Sequence, residues 1–368
     1  MSSPLRFALI GCGVIAATQA RALQAMPGDA ELVACCDVDP NRAEEFAAAF
    51  GVRARTYEDV LADPTIDAVT VCTPSGAHAE IGVPALLASK HVLVEKPMEV
   101  TLEECDQLLA AARTTGATLA VVSQHRFDPA SRTVAEAIAR GELGRLTVAE
   151  CRVPWFRTQE YYDSDAWRGT RALDGGGALM NQGIHTLDLM LSLCGPVSTV
   201  MGTTTTVGHE RLEVEDVAAA VVTFRSGAVG TVLAATAAYP GRAAQLAVHG
   251  THGGAVINGD RLELLAVEGK ADRGSEHVHP NAQQVATGGT RAATAHVDPR
   301  PATTGAAPSG ETYPWGEAHR RQLLDFVSAV RQGRPPVVDG AAGRAAVELV
   351  LAVYESARTG HPVHLPRR

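Results

Sequence analysis

The feature that most constrains the fold is a change of rhythm near Pro129. Before it, short apolar runs at 7–10, 32–36, 68–72, 91–94 and 118–122 alternate with helix-patterned stretches at 15–25, 41–50, 77–89 and 102–114. Strand and helix in alternation predict a parallel sheet covered on both faces, because each crossover must bring the chain back. After Pro129 come a helix at 131–139, a long strand at 146–155, a polar and aromatic loop at 157–174 and a helix at 178–193. Strands at 197–206, 214–224, 228–237, 244–248 and 254–257 then follow in direct succession, and helices at 317–331 and 342–357 close the chain. Strands without intervening helices predict a mostly antiparallel sheet. The division falls at 127/128. The stretch 284–312, made of Gly, Ala, Thr and Pro, reads as a mobile surface loop, with a substrate lid as the alternative.

The first strand runs into Gly11-Cys12-Gly13-Val14-Ile15-Ala16, which opens a helix and fits G-x-G-x-x-G/A with Ala last. Gly11 permits the tight turn, Gly13 removes the side chain that would block a pyrophosphate, and Ala16 lets helix and strand pack closely. The free N–H groups of the helix start, at Val14 and Ile15, are offered to the phosphates. Residues 1–127 are therefore expected to form a Rossmann dinucleotide-binding domain. Asp37 ends the second strand, where a carboxylate accepts bonds from the ribose diol and repels a 2′-phosphate. NAD is favoured over NADP, although Arg42 lies close. Asp39, just before Pro40, suits helix capping better and leaves Asp37 for the ribose. Thr73 and Pro74, after the strand at 68–72, would shape the cofactor shelf. His78 joins this set, though a lone histidine there also suits a packed role.

The strand at 91–94 ends in Glu95-Lys96-Pro97. Ends of such strands carry the chemistry of dinucleotide folds, so Lys96 is either a surface cation or a catalytic one. Farther on, Asn181, His185 and Asp188 fall on one helical face of an otherwise apolar segment. Buried there, they need partners: a structural network or a functional site. Gln124, His125 and Arg126 follow the strand at 118–122. The loop beyond carries Trp155, Arg157, Tyr161, Tyr162, Trp167 and Arg168. Aromatic faces with guanidinium forks suit sugar rings and anions, and also suit packing between domains.

Together, the glycine loop, Glu95-Lys96-Pro97 and the run from Gly175-Gly176-Gly177 through Asn181 and His185 to Asp188 resemble the Gfo/Idh/MocA oxidoreductases, the glucose–fructose oxidoreductase and inositol dehydrogenase relatives. The resemblance covers nearly the whole chain. It implies a C-terminal domain on an open sheet over 128–368, with Lys96 and His185 flanking the nicotinamide. It implies NAD-dependent oxidation of a hydroxyl of a sugar, nucleotide sugar or cyclitol, and a homodimer or homotetramer. Glu95, Lys96, Gln124 and Arg168 fall on the cofactor side; Lys96, Arg126, Arg157, Trp167, Asn181 and His185 on the substrate side. The catalytic set is Lys96, His185 and Asn181, with Asp188 available to orient the imidazole. Many members have Asp at the position of Asn181. Asn cannot take a proton, so proton transfer falls to His185 or Lys96. Asn there resembles members acting at C3 of nucleotide-linked sugars. A redox-assisted glycosidase is the enzymatic alternative. A non-catalytic sensor is the alternative of another class, and the presence of both Lys96 and His185 speaks against it.

The bulk numbers exclude other classes. The 32 basic and 41 acidic residues leave a net charge of −9 with no basic stripe, so nucleic acid and anionic membranes are poor partners. No apolar run approaches the ~18–20 residues of a membrane span. The N-terminus enters a strand without a secretory apolar segment, and cytoplasmic localisation is expected. The seven cysteines at 12, 35, 36, 72, 105, 151 and 194 include no CxxC and read as buried free thiols, with no metal site expected.

Overall fold

The computed structural model describes residues 3–270, 273–274 and 316–366. The 284–312 segment lies outside them. The first sheet is built from β1 (Leu5–Ile10), β2 (Ala30–Cys36), β3 (Arg53–Ala54), β4 (Ala68–Val71), β5 (His91–Val94) and β6 (Leu119–Val121), in the order β3-β2-β1-β4-β5-β6. Its pairings are all parallel. The connections are α1 (Val14–Gln24), α2 (Pro40–Phe50), α3 (Tyr57–Ala62), α4 (His78–Leu87) and α5 (Leu102–Thr115). The strand order reverses between β1 and β4, and the crevice there is where a doubly wound sheet binds its ligand.

Local chemistry starts these helices where they start. Asp39 Oδ1 accepts the Asn41 N–H at 3.0 Å, Pro40 occupies the first turn, and α2 stops at Gly51, whose φ is 68°. The expectation that Asp39 is the cap is met. Thr101 and Glu104 cap α5 reciprocally: Thr101 Oγ1 accepts from Glu104 N at 3.2 Å and donates to the Glu104 carboxylate at 2.8 Å. Sequence reading missed β3 and α3. They are too short to show a period, and α3 rests on the Thr56 cap.

The second sheet follows α6 (Pro129–Ala139). It contains β7 (Leu146–Pro154), β8 (Val197–Thr205), β9 (Val217–Phe224), β10 (Val229–Ala235), β11 (Gln245–Gly250), β12 (Gly253–Asn258), β13 (Arg261–Val267), β14 (Arg273–Gly274) and β15 (Val363–His364). The order is β14-β13-β12-β11-β7-β10-β9-β8-β15. Of the recorded pairings, β10 with β7 is parallel and the rest are antiparallel. The predicted α/β plus α+β fold class holds; the parallel pair makes the sheet mixed. The loop predicted over 157–174 contains a short helix, α7 (Gln159–Asp163). The helix predicted over 178–193 is π-helical at Ala178–Gly183 and becomes α8 at Ile184–Cys194.

The last two helices position the site. Helix α9 (Glu317–Gln332) returns to the first sheet, where Phe326 meets Phe7 with ring centroids 6.0 Å apart and Leu323 and Val327 join the same core. Both phenylalanines are fully buried; burying such a side chain contributes roughly 1.5–3 kcal/mol. Helix α10 (Gly340–Thr359) packs on β8 and on the edge of the first sheet; Val121 N donates to Val338 O at 3.2 Å. All seven cysteines are buried and free, as expected. Among the described residues no helix is long and apolar enough to cross a membrane.

Candidate active site

The glycine loop is forced by its surroundings. Gly11 has φ +90°, and a Cβ there would lie 2.9 Å from the Cys72 backbone, so only glycine fits. Gly13 differs: a Cβ there would meet no atom within 4 Å. Nothing in the protein requires that glycine, and the open space is what a bound pyrophosphate needs. Val14 stands 89 % exposed at the head of α1, and Ala16 is fully buried against the strand. Asp37 receives the Cys12 N–H at 2.8 Å and the Asp39 N–H at 3.0 Å, which fixes it at the rim of the loop. The Arg42 guanidinium approaches it only to 4.0 Å. Three buried side-chain oxygens near this crevice, on Thr73, Gln124 and Gln19, lack hydrogen-bond partners among the described residues. Buried polar atoms left this way mark a missing partner. The residues therefore fit a dinucleotide: Gly11, Gly13, Val14 and Ile15 at the pyrophosphate, Asp37 at a ribose, Thr73 and Gln124 deeper in.

The catalytic candidates meet beyond β5. The Lys96–Pro97 peptide is cis. The Lys96 ammonium donates to Asn181 O at 2.9 Å and to Asn181 Oδ1 at 3.0 Å. Burial pushes its proton affinity down; Glu95 and Asp174 oppose this, and Arg168 and Arg157 add to it. His185 is held well below the usual histidine range, first by burial and then by the charge of Lys96, with His125 and His319 contributing. Lys96 and His185, remote in sequence, thus bear on one another electrostatically, and both line one small cavity with Ser123 and Asp188. His185 Nδ1 is buried and has no hydrogen-bond partner among the described residues.

Matches to known families agree with this geometry. Residues 5–123 match the model described as "Oxidoreductase family, NAD-binding Rossmann fold", and residues 135–365 match "Oxidoreductase family, C-terminal alpha/beta domain". The chain belongs to the Gfo/Idh/MocA oxidoreductase family. It is similar to the WlbA dehydrogenase of Bordetella pertussis, solved in complex with NADH and UDP-GlcNAcA: 30 % identity, a TM-score of 0.83, 99 % of this chain and 100 % of that one. It is 27 % identical to scyllo-inositol 2-dehydrogenase (NAD(+)) of Bacillus subtilis over 99 % of this chain and 97 % of that protein. It is 25 % identical to the myo-inositol 2-dehydrogenase of Thermotoga maritima, covering 98 % of each. This Gfo/Idh/MocA member is an NAD-dependent oxidoreductase acting on CH–OH groups, and its first domain binds the NAD.

Several sequence expectations need correction. Asp188 does not orient His185. Its carboxylate takes a two-pronged bond from Arg126, at 2.7 Å from Nε and 2.6 Å from Nη2, and a further bond from Ser123 Oγ. Arg126, expected at the substrate, is committed to that buried pair. The π-helical turn ahead of α8 takes Asn181 off the simple helical register with His185 and Asp188; Asn181 and Asp188 each find partners elsewhere, while His185 Nδ1 has none among the described residues. His78 does not reach the cofactor crevice. It is fully buried, with one ring nitrogen 2.8 Å from Pro97 O and the other 3.1 Å from Thr73 O, and it acts on the shelf through those backbones. Glu95 is likewise internal: it accepts from Gln19 Nε2 at 2.8 Å and from the Lys96 N–H at 3.2 Å.

The aromatic loop gathers around Tyr161. The Arg168 guanidinium lies 4.5 Å from the Tyr161 ring centroid and 4.6 Å from that of Trp167. Arg157 lies 5.3 Å from Tyr161 and 5.2 Å from Trp155, and donates to Gln182 Oε1 at 2.9 Å. Stacking holds both guanidiniums near the lysine, and Arg168 is also paired with Asp165, its Nε 3.2 Å from that carboxylate.

Three participants escaped sequence reading. Asp174, next to the glycine run, bonds Asn181. His319 sits buried on α9 beside His125, its proton affinity pushed down to about 4 by burial. Glu215 carries the start of the π-turn: its carboxylate accepts from Gly177 N at 2.9 Å, Leu179 N at 2.7 Å and Tyr354 Oη at 2.9 Å. The one signal for Glu215 was an acid pair, Glu215-Asp216, at the edge of an apolar strand.

Proposed function

We propose that the enzyme oxidises a ring hydroxyl of a sugar, nucleotide sugar or cyclitol, with His185 as general base and Lys96 as the group that holds the reacting oxygen. The observation that carries this reading is the convergence of the Lys96 ammonium and the His185 ring behind the glycine loop. Bound NAD supplies the hydride acceptor. At the alcohol, the C–H bond breaks with its electron pair, the O–H proton passes to His185, and a C=O bond forms. His185 suits the role because its depressed proton affinity keeps it neutral at working pH. Lys96 suits its own because an ammonium with no carboxylate within 4 Å among the described residues is available to a developing alkoxide. Asn181 holds that ammonium in place and moves no proton. Trp167, Arg168, Arg157 and Trp155 offer stacked faces and guanidiniums to a sugar ring and its anionic groups.

NADH formation across inositols, aldoses, uronates and nucleotide sugars tests the reading. The complex of the WlbA relative makes nucleotide-linked uronic acids the first candidates. Accumulating NADH with an oxidised sugar supports it. Net glycoside hydrolysis without added NAD replaces it with the redox-assisted glycosidase. No turnover by a protein that binds NAD leaves a sensor.

The enzyme is further proposed to self-associate through the open face of its large sheet. Val148, Met201, Val221, Val229 and Leu233 stand 38–51 % exposed on adjacent strands, where the register sets Val148 beside Val229 and Met201 beside Val221. Behind these strands α10 packs on β8, α8 on β7, and the π-helical turn on β9 and β10.

A further inference from the structure

We propose that Asp174 is a positioning residue of the oxidation site, aiming the Asn181 amide at the Lys96 ammonium and tying that lysine to the loop that carries Trp167 and Arg168. Asp174 is 1 % exposed. Its Oδ1 accepts from Asn181 Nδ2, and its Oδ2 accepts the Gly169 N–H at 2.8 Å. A carboxylate only accepts, so the NH2 end of the amide must face it and the oxygen must face Lys96. Gln182 Nε2 donates to the same amide oxygen at 3.2 Å and favours the same orientation. The result is one bonded chain: Gly169 N–H, Asp174, Asn181, Lys96. Gly169 directly follows Trp167 and Arg168, so a shift of that loop is felt at the ammonium.

Asp174 is also a counter-charge for the lysine. Lys96 faces Glu95 and Asp174 on one side of the balance and Arg168 and Arg157 on the other. Asp174 in turn faces Lys96 and Arg168, with the Tyr162 and Tyr354 hydroxyls nearby. Burial raises its own proton affinity to about 6, and the bonds from Gly169 and Asn181 limit that rise. Removing its charge lowers the affinity of Lys96 for its proton.

The inference rests on the dehydrogenase reading for its meaning, yet it can be tested without a substrate. The chain has three lysines, Lys90, Lys96 and Lys270. In protein labelled with 13C and 15N at lysine, each side chain gives its own NMR titration. In Asp174→Asn the Lys96 signal is expected to titrate at lower pH than in the parent, while Lys90 and Lys270 stay unchanged. With NAD and whichever panel sugar turns over, kcat falls by up to about 100-fold, the scale of a small misplacement of a reacting group. KM for NAD stays at the parental value, and the basic limb of the kcat profile moves down with the lysine. Asp174→Glu keeps the charge and restores the Lys96 titration while kcat stays reduced. Parental Lys96 titration in a folded Asp174→Asn protein overturns the inference. So does a uniform loss of kcat without a change in pH profile, and so does failure of both variants to fold, which makes Asp174 purely structural. Absence of NADH formation by the parent counts against the dehydrogenase reading and leaves the lysine titration to judge Asp174 alone.

Discussion

Replacing Lys96 with Met should separate catalysis from stability. The ammonium donates two hydrogen bonds, both to Asn181, and has no carboxylate within 4 Å among the described residues. Deleting it leaves two acceptors short of a donor, a loss of about 1–3 kcal/mol for buried groups. Gln182 still donates to one of them, at 3.2 Å. Against that loss stands the release of a buried charge, whose desolvation costs several kcal/mol in real proteins. The terms nearly cancel, so the melting temperature should stay within about 4 °C, the shift that roughly 1 kcal/mol produces in a chain of this class. Turnover has no such compensation. Losing one donor aimed at a developing oxyanion lowers kcat by about 10²–10³, and this donor carries full charge, so a drop of at least ~10³ is expected. The assay is NADH formation by absorbance, with NAD affinity measured separately by fluorescence quenching and expected at the parental value. A folded, NAD-binding variant whose kcat lies within about tenfold of the parent would refute the assignment of Lys96 to the reacting oxygen.

Asp37→Ala removes the acceptor fixed by the Cys12 and Asp39 amides. Charged hydrogen bonds of ~1.5–3 kcal/mol correspond to at least ~10-fold weaker NAD binding, with discrimination against NADP relaxed; unchanged NAD/NADP preference in titrations would contradict the ribose role. Because the folded-state proton affinity of His185 lies below the ordinary 6.5, the base stays neutral through that pH. The acid limb of kcat/KM it controls should therefore fall below 6.5, and should be absent in His185→Gln; a limb at or above 6.5 contradicts the assignment. The same linkage applies to stability at Asp174. A carboxyl raised from 3.8 to about 6 contributes most below pH 4 and loses that contribution as pH climbs through 6, so the melting temperature of Asp174→Asn relative to the parent should rise between pH 4 and pH 8; a difference that stays constant over that range contradicts the shift. Val221→Asp, on the open sheet face, should yield a smaller species by sedimentation while leaving NAD binding intact; an unchanged sedimentation profile excludes that face as the contact.

Much of this protein was legible before any coordinate. Elements that state their own reasons locally were found: the glycine loop, the Asp39 cap and the strand that delivers Lys96 each lie within a few consecutive residues. The paired motifs were also legible through their resemblance to a known family. What the sequence did not reveal is which polar groups face each other. Helical spacing suggested that Asp188 serves His185, but Arg126, distant in sequence, engages its carboxylate instead. Asp174 looked like loop because its two partners, Gly169 and Asn181, are chosen by a tight turn and not by a period. Helix α9 reads as an ordinary amphipathic helix, yet it crosses back to pack Phe326 on Phe7. Periodicity and turn chemistry are properties of neighbours in the chain, and they determined the elements and the cofactor loop. Hydrogen-bond partners, charge balance around Lys96 and the isolation of His185 depend on groups remote in sequence, and only tertiary packing decided them.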